Sequence, residues 1–577
     1  MAFDGIVNKA ICSELTELCN CRIDKIFQPN KNTIILGMYL NGKNYALNIC
    51  VDSKYYRLSL TTHSKPNPQI APNFCMLLRK NLIGLKLKNI ITFDLERLVI
   101  LEFEGFDDID EIVNKKLIVE LMGKHSNIIL TDYNNIIIDS LRHIKENDDN
   151  YRDILPHTKY VFPTTTKKDF LELYDYKVFY NTIIESNVYN LDDLPYFISN
   201  YYNGISKNFI NNIIKKLNIN IFSEANIKLI FNYIKNIIDK IDSNTLYFEK
   251  SKNEKGIFND YYLFDTNKKQ PDDFRLNFFI DDFYSQKENS EEFKSSRNTM
   301  MKLILETFKK YHKRLENIDK KLQECKNMDK YRIYGELITA NLYKIPNKNT
   351  DSVEIENYYN NNNLIKITLD KKYSPSINAK MFFKKYNKLK NALEIVTKQK
   401  NDTLKEIDYI ESIVYELENS ADMNDLINIF DEISENNIFK EKKQTVNKRT
   451  NIKKSRLTKN KEVSFNPIKY NIDGYTILVG RNNKENDYLT LKFANKNDIW
   501  FHTKDFHGSH TILKINTDLP YPNEDILYKV SKLAVKHSKA KNSSNVPVDY
   551  CEIKYVKKPS GSKPGMVIYS HNKTLYI

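Results

Sequence analysis

Apolar residues recur at steps of three and four through Met301, Leu305, Phe308, Tyr311, Leu315, Ile318, Leu322 and Cys325. The same spacing returns at Phe382, Tyr386, Leu389, Leu393, Val396, Leu404, Ile407, Ile410, Val414 and Leu417, interrupted only by Lys400. Such a stripe is the seam of a coiled coil, and Lys and Glu fill many of the positions between. Neither stripe can stay wet alone, so together they predict a long antiparallel helical hairpin over residues 291–440. Between the arms, Gly335, Pro346, Asn360 to Asn363 and Pro375 punctuate short apolar runs such as Leu364 to Leu369, which predicts a small tip over 331–378. An arm of about forty residues would extend roughly 60 Å at about 1.5 Å per residue, the length of a spacer or probe.

Elsewhere the period changes repeatedly. Ile6, Ala10, Ile11, Leu15 and Leu18 are helically spaced, and Thr33 to Leu40, Lys43 to Val51 and Tyr55 to Thr61 read as strands with a turn at Asn41-Gly42. Asn73 to Leu82 returns to helix; Leu98 to Phe103, Lys116 to Leu121 and Asn127 to Thr131 return to strand. Residues 1–168 are therefore expected to form an α+β domain. From Asp169 to Asp242 the pattern is helical, with Asn203-Gly204-Ile205-Ser206 between two periodic stretches. This predicts a helix-hairpin-helix domain over 169–245, whose turn could offer backbone amides to a phosphate or serve as an ordinary connection. Strands at Asp260 to Phe264 and Phe278 to Phe283 would return the chain to the body over 246–290. After the hairpin, Lys442 to Glu462 is rich in Lys and Arg and almost free of apolar residues, so 441–465 is expected to be a basic linker. Strands at Tyr470 to Leu478, Thr490 to Ala494, Ile499 to His502, His510 to Ile515, Val548 to Val556 and Met566 to Tyr569, with a helix over Glu524 to Lys539, predict a closing α+β module over 466–577. The fold class expected is multidomain α+β.

Length supports this division, since 577 residues exceed a single core and suggest about three to five domains. A formal charge of +14 points to an anionic partner, nucleic acid or an acidic membrane surface, with a merely solvated Lys-rich surface as the bland alternative. No run approaches the roughly 18 apolar residues of a membrane span, and Met1 to Asn20 lacks the layout of a signal peptide, so a cytoplasmic protein is expected. Seven scattered cysteines fit structural thiols; Cys19 and Cys21 have no second pair to complete a zinc site.

Three clusters carry candidate chemistry. Glu96-Arg97 precedes the strand Leu98 to Phe103, and Glu120 with Lys124 closes another strand at Met122-Gly123-Lys124. Strand ends along one sheet edge can bring such groups together, and an acid beside a base aims the base at phosphate or base edges; surface ion pairs are the alternative. The third cluster comprises Gly480, Arg481, Asn482 and Asn483 with Asp498, Trp500, His502, His507 and His510. His502 and His510 lack the one-turn helical spacing of metalloprotease ligands and no glutamate base is near, so neither a metal nor a catalytic histidine is expected. The lone Trp beside polar groups suits stacking and hydrogen bonding to nucleic acid.

The runs Gly480-Arg481-Asn482-Asn483, Asn486-Asp487, Leu489-Thr490, Asp498-Ile499-Trp500-Phe501-His502 and Gly508-Ser509-His510 resemble the C-terminal module of the NFACT family. Phe3-Asp4-Gly5, Leu77-Leu78-Arg79-Lys80, Glu120 to Asn127, Arg152 with Pro156 and Tyr160, Gly335-Glu336-Leu337, Ala340-Asn341-Leu342, Asn378-Ala379 and Tyr386 to Lys390 extend the resemblance, in family order, over essentially the whole chain. It implies a glycosylase-like N-terminal domain without glycosylase chemistry, since the chain begins Met1-Ala2-Phe3. It further implies a ribosome quality-control factor that binds the obstructed large ribosomal subunit with peptidyl-tRNA. Such a factor recruits aminoacyl-tRNA, alanyl-tRNA in bacterial members, and so tails the stalled nascent chain without mRNA and marks it for proteolysis. The residues implied to contact tRNA are Glu96 and Arg97, where Glu replaces the family's Asp, and Glu120, Leu121 and Lys124, where Lys stands for a frequent Arg. Arg481, Asn482, Asp498, Trp500, His502 and His510 are the RNA-directed set expected of the C-terminal module. No cofactor and no autonomous catalysis are expected. A surface adhesin binding fibronectin and a nucleic-acid-processing enzyme are the alternatives from other functional classes.

Overall fold

A computed structural model describes residues 3–106, 111–145, 152–243, 245–252, 258–265, 275–346, 350–436, 465–516 and 519–577. The expected basic linker, Lys442 to Glu462, lies outside the described residues. The chain divides into two compact units, Met1–Ser290 and Glu291–Ile577. Among the described residues no helix is long and apolar enough to cross a membrane.

The first unit is built on an antiparallel sheet. Its strands are β1 (Arg22–Asn30), β2 (Thr33–Leu40), β3 (Lys43–Cys50), β4 (Arg57–Leu60), β5 (Lys86–Thr92), β6 (Leu98–Phe106), β7 (Ile112–Glu120), β8 (Asn127–Asp132) and β9 (Ile137–Ser140). They are ordered β4-β3-β2-β1-β5-β6-β7-β8-β9. Alternation sorts successive residues to opposite faces. Val99, Leu101, Leu117, Val119, Ile128 and Leu130 join the main core, while Leu98, Ile100, Ile118 and Ile129 form a second cluster with Ile137, Ile154 and Tyr160. Helices α1 (Gly5–Leu15) and α2 (Asn73–Leu82) contribute to the main core. It also takes in α3 (Tyr176–Glu185), α4 (Leu194–Tyr201), α5 (Lys207–Lys216) and α6 (Glu224–Asp239), followed by a hairpin of β10 (Leu246–Lys252) and β11 (Phe258–Asp265).

One expected strand is a helix. Phe278 to Phe283 lies in α7 (Arg275–Lys326), where Leu276, Ile280, Phe283 and Tyr284 are buried at helical spacing. A short aromatic run satisfies both periods, and tertiary contacts select the helix. Glu14 accepts from the backbone amides of Leu276 and Asn277 at 3.1 Å, capping the first turn, and Glu288 takes the buried Arg57 guanidinium at 2.7 Å.

The division between units falls within α7. The second unit contains its remaining turns, then α8 (Asp329–Ala340), a hairpin of β12 (Ser352–Asn357) and β13 (Asn363–Thr368), α9 (Pro375–Asn419) and α10 (Met423–Glu435). The two-armed hairpin and its tip are present. At 52 and 45 residues, α7 and α9 are about 78 and 68 Å long. Their seam departs from the expected one at two points: Leu305 and Leu404 are exposed, whereas Leu303, Ile304 and Thr403 are buried. Lys400, the interruption of the apolar stripe, pairs with Asp319 of the opposite arm at 2.8 Å. Met300, Leu303 and Ile304 pack with Tyr409, Ile410, Ile413 and Leu417 and with Leu426, Ile429, Phe430 and Ile433 of α10, closing the base of the hairpin.

The C-terminal module comprises β14 (Ile468–Ile472), β15 (Tyr475–Val479), α11 (Asn483–Tyr488), β16 (Ile499–Thr503), β17 (Thr511–Leu513), α12 (Glu524–Lys536) and β18 (Pro547–Glu552). It ends with β19 (Val556–Lys557), β20 (Ile568–Tyr569) and β21 (Lys573–Tyr576). Its main sheet is ordered β14-β15-β17-β16-β18-β21. The expected strand Thr490 to Ala494 is instead a π-helical turn over Leu489–Phe493 that continues α11; Leu489 and Thr490 are buried while Leu491 and Phe493 are exposed.

Candidate nucleic-acid interface

In the first unit the antiparallel pairing of β6 with β7 sets Leu98 opposite Glu120. The segment before one strand therefore meets the segment after the other, and the Leu121 amide donates to the Arg97 carbonyl at 2.8 Å. The two sequence clusters form one corner. Arg97 Nη1 donates to the Tyr56 hydroxyl at 3.2 Å, and its guanidinium lies 5.8 Å from the centre of that ring. A Cβ placed on Gly123 would be 3.9 Å from the same ring, so Tyr56 stands between Arg97 and the turn carrying exposed Lys124.

The corner is fastened from behind. Arg142 donates to the carbonyls of Lys124 at 3.3 Å, Ser126 at 2.9 Å and Val51 at 2.8 Å, and to Asn32 Oδ1 at 3.1 Å. Asp4 caps α1 through the Val7 amide at 3.1 Å and accepts from Ser206 at 2.6 Å; burial raises its carboxyl to about 6 despite the positive Arg97 nearby. The Gly5 amide donates to the Gly204 carbonyl at 2.8 Å, and a Cβ on either glycine would come within 2.1 Å of the Leu95 carbonyl oxygen. Only glycine permits this approach of three backbones. Asn8 reaches the Glu96 carbonyl at 3.1 Å. The Gly204 turn thus holds α1 against the loop that presents Arg97.

Two residues of the expected tRNA set are placed differently from expectation. Glu120 does not pair with Lys124. It is fully buried, with Arg152 donating to both carboxylate oxygens at 2.7 Å and the Tyr160 hydroxyl donating at 2.7 Å. Strand alternation explains this: Glu120 faces the second cluster, and fully buried Leu121 faces the main core. Both are structural. Lys167, unmarked in the sequence, lies near Arg97; burial and then the Arg97 charge lower its pKa. Among the described residues Arg97, Lys124 and Lys167 form no ion pair, although the carboxylates of Asp4 and Glu96 lie close enough to act electrostatically on Arg97 and Lys167, so the positive charge of the corner is only partly offset.

The C-terminal set is more buried than a nucleic-acid surface requires. Asp498 is fully buried and accepts from Asn495 N at 2.7 Å, Ile515 N at 2.9 Å and Lys514 Nζ at 2.5 Å, tying strand ends together. Trp500 is 1% exposed, stacked on His502 at 5.7 Å and packed on His510 and Tyr569, so its faces are not offered to a base. His510 bonds Thr490 Oγ1 at 2.7 Å. Burial lowers His502 to about 4 and His510 to about 3, so both rings are neutral at physiological pH. Buried Asn482 caps α11 through the Glu485 amide at 2.9 Å. Arg481 stays accessible at one edge, 3.5 Å from Asp422 and 3.9 Å from Asp425.

The same motif docks the module on the base of the hairpin. The Asn483 amide donates to Glu416 Oε1 at 2.5 Å, and its side chain donates to Glu432 Oε1 at 3.2 Å and Ser412 Oγ at 3.1 Å. Tyr409 donates to Glu432 at 2.8 Å. Burial raises Glu416 well above the carboxylate range and Glu432 to about 7. Beside this contact α9 and the 503–510 and 559–569 loops enclose a cavity of about 1270 Å³.

Residues 4–452 match the NFACT N-terminal and middle domains, and residues 463–570 match the NFACT protein RNA binding domain. The Rqc2 homolog RqcH of Bacillus subtilis (strain 168) is 31% identical over 594 residues, covering 100% of this chain and 98% of its own length. The Rqc2 homolog RqcH of Streptococcus suis (strain 05ZYH33) is 30% identical over 583 residues, with the same two shares. The N-terminal structure of the fibronectin/fibrinogen-binding protein from Streptococcus suis is 25% identical with a TM-score of 0.39, covering 50% of this chain and 100% of its own. With both family domains matched in order and relatives aligned along its whole length, the chain belongs to the NFACT family.

Proposed function

We propose that this protein is a ribosome quality-control factor. It binds the obstructed large ribosomal subunit with peptidyl-tRNA in place and recruits alanyl-tRNA, so that the stalled chain gains an alanine tail without mRNA and is marked for degradation. It acts in the cytoplasm, on the ribosome. The observation that carries the reading is the corner where Arg97, Lys124 and Lys167 present positive charge outside any ion pair of the described residues, in a chain aligned throughout with RqcH relatives.

Arg97 is the principal tRNA contact, since its planar fork suits phosphate and base edges and Tyr56 fixes its direction. Lys124 supplies a point charge from an exposed turn that Arg142 holds in place. Glu96 aligns this corner, while Glu120 and Leu121 support it from the interior. The protein positions RNA, and ribosomal RNA transfers the peptide. The test is a reconstitution with purified large subunits carrying peptidyl-tRNA and a mixture of charged tRNAs. Tail growth dependent on the protein and on alanyl-tRNA is expected. Equal growth without the protein, or turnover of a substrate by the protein without ribosomes, would overturn the reading.

A further inference from the structure

Residues 402–435 run against the composition of the chain. They hold eleven carboxylate residues and one lysine, Lys405, in a protein of net charge +14. This segment spans the end of α9 and all of α10, and it faces the C-terminal module. Four cations and one histidine of that module meet it. Lys563 Nζ lies 3.4 Å from Glu406, and His507 Nε2 lies 3.3 Å from Asp408 and 3.6 Å from Glu411. Lys539 Nζ lies 3.3 Å from Glu411, Lys484 Nζ 2.8 Å from Glu435, and Arg481 reaches Asp422 and Asp425.

The polarity across this contact is one-sided: every one of these pairs takes its basic group from the module and its carboxylate from residues 402–435. An apolar docking surface would need no such matching. Most of the partners remain partly exposed, so each pair contributes little to stability by itself and is screened by salt. A series of mostly solvated carboxylates is instead the kind of charge that a nucleic-acid backbone also presents.

We infer that Arg481, Lys484, His507, Lys539 and Lys563 form the face of the C-terminal module that takes RNA backbone phosphates, and that the acidic 402–435 segment occupies this face in competition with RNA. The inference rests on the RNA role proposed above and adds a location and a brake to it. Phosphates replace the helical carboxylates one for one, and the module binds RNA when the acidic segment yields. Lys405 and Asp505, which line the adjoining cavity, are the exceptions to the one-sided pattern and stand outside the ion-paired row.

The test uses the full chain and a fluorescein-labelled oligouridylate as probe, with anisotropy read at low and at near-physiological salt. The variant Glu406→Gln, Asp408→Asn, Glu411→Gln, Glu435→Gln removes four exposed or half-buried carboxylates, none of which caps a helix. It is expected to bind the probe about tenfold more tightly at low salt, because counterion release then goes unopposed. Adding Lys539→Glu and Lys563→Glu to that background is expected to abolish the gain. In parallel, acylation of Lys484, Lys539 and Lys563, mapped by mass spectrometry, should fall when the probe is added to the neutralised variant. Affinity unchanged or weakened by neutralisation, or a gain that survives the lysine reversals, would overturn the inference. Loss of alanine tailing in an Arg97 variant alongside an unchanged neutralised variant would refute this inference and leave the proposed function standing.

Discussion

The two cationic regions of this protein differ in what faces them. At the Arg97 corner the direct contacts of the positive charges are a tyrosine ring and a backbone carbonyl, and the carboxylates of Asp4 and Glu96 act on them without forming an ion pair among the described residues. In the C-terminal module Arg481, Lys484, Lys539 and Lys563 each meet a carboxylate of α9 or α10. An open corner is preorganised for an anion that arrives from outside, whereas a covered face must first exchange one anion for another. The difference teaches that net charge alone does not locate a nucleic-acid surface; the counter-charge within the fold decides which cations are available.

The largest effect should come from emptying the open corner. Arg97→Ala is expected to lower tailing in the reconstituted reaction by about a hundredfold or more, as loss of a charged, directed contact of about 3 kcal/mol would do. Cosedimentation with large subunits should stay within about twofold, and its loss would break the contrast between a tRNA-directed corner and other contact surfaces. Next comes the support behind the corner. Arg152→Ala leaves the Glu120 carboxylate buried without its partner, an expected cost of about 3 to 5 kcal/mol visible as a fall in the melting temperature. A surface-like loss below about 1 kcal/mol would mean that Glu120 is not the structural acid described here.

The covered face makes a pH prediction. Glu432 is raised from 4.5 to about 7 and Glu416 is raised well above 4.5, chiefly by burial, in a site where Tyr409, Asn483, Lys484 and Asp487 also face the pair. Because the folded values exceed the unfolded ones, their contribution to stability is greatest below about pH 4.5 and declines as pH rises toward 7. His502 and His510 run the other way: their lowered values make stability complete above about 6.5 and lost as pH falls toward about 4. The difference between the wild type and Glu432→Gln isolates the acid pair. Melting curves from pH 5 to 8 should show the variant gaining relative stability with rising pH; a constant difference would contradict the buried-acid account. The smallest effect is expected for Lys124→Ala, a severalfold fall in tailing that Lys124→Arg restores, since this cation stands on an exposed turn.

Much of the architecture was legible from periodicity. The helical hairpin, its tip and the strands β2, β3, β6, β7 and β8 followed from apolar spacing, while the meeting of two strand-end clusters was one of two readings left open. Strands β1 and β5, central in the sheet, did not, because Arg22-Ile23-Asp24-Lys25 and Lys86-Leu87-Lys88-Asn89 dilute the strand signal with charge. Phe278 to Phe283 deceived in the opposite sense, as an aromatic run whose helical form is set by Glu14 at its start. For the candidate site, sequence spacing located Arg97 and Lys124 but could not distinguish a solvated acid from a buried one. Glu120 and Asp498 looked like neighbours of a ligand and are interior struts, and Trp500 looked like a stacking platform and is packed core. Tyr56, Arg142 and Lys167 escaped notice because their roles depend on contacts made across the fold; Arg142, for one, joins residues ninety or more positions apart. The acidic run 402–435 was in plain view, and its meaning emerged only once its partners were placed.

The proposed function requires that the open corner hold tRNA separately from the surface that holds the large subunit. The most direct measurement is to recover the tagged wild type and its Arg97→Ala variant from cells under mild salt and sequence the RNA that accompanies each. The wild type is expected to carry large-subunit RNA without small-subunit RNA, together with one dominant tRNA, and the variant to keep the large-subunit RNA while losing the tRNA. A variant that retains the tRNA, or that loses both RNAs together, would contradict it.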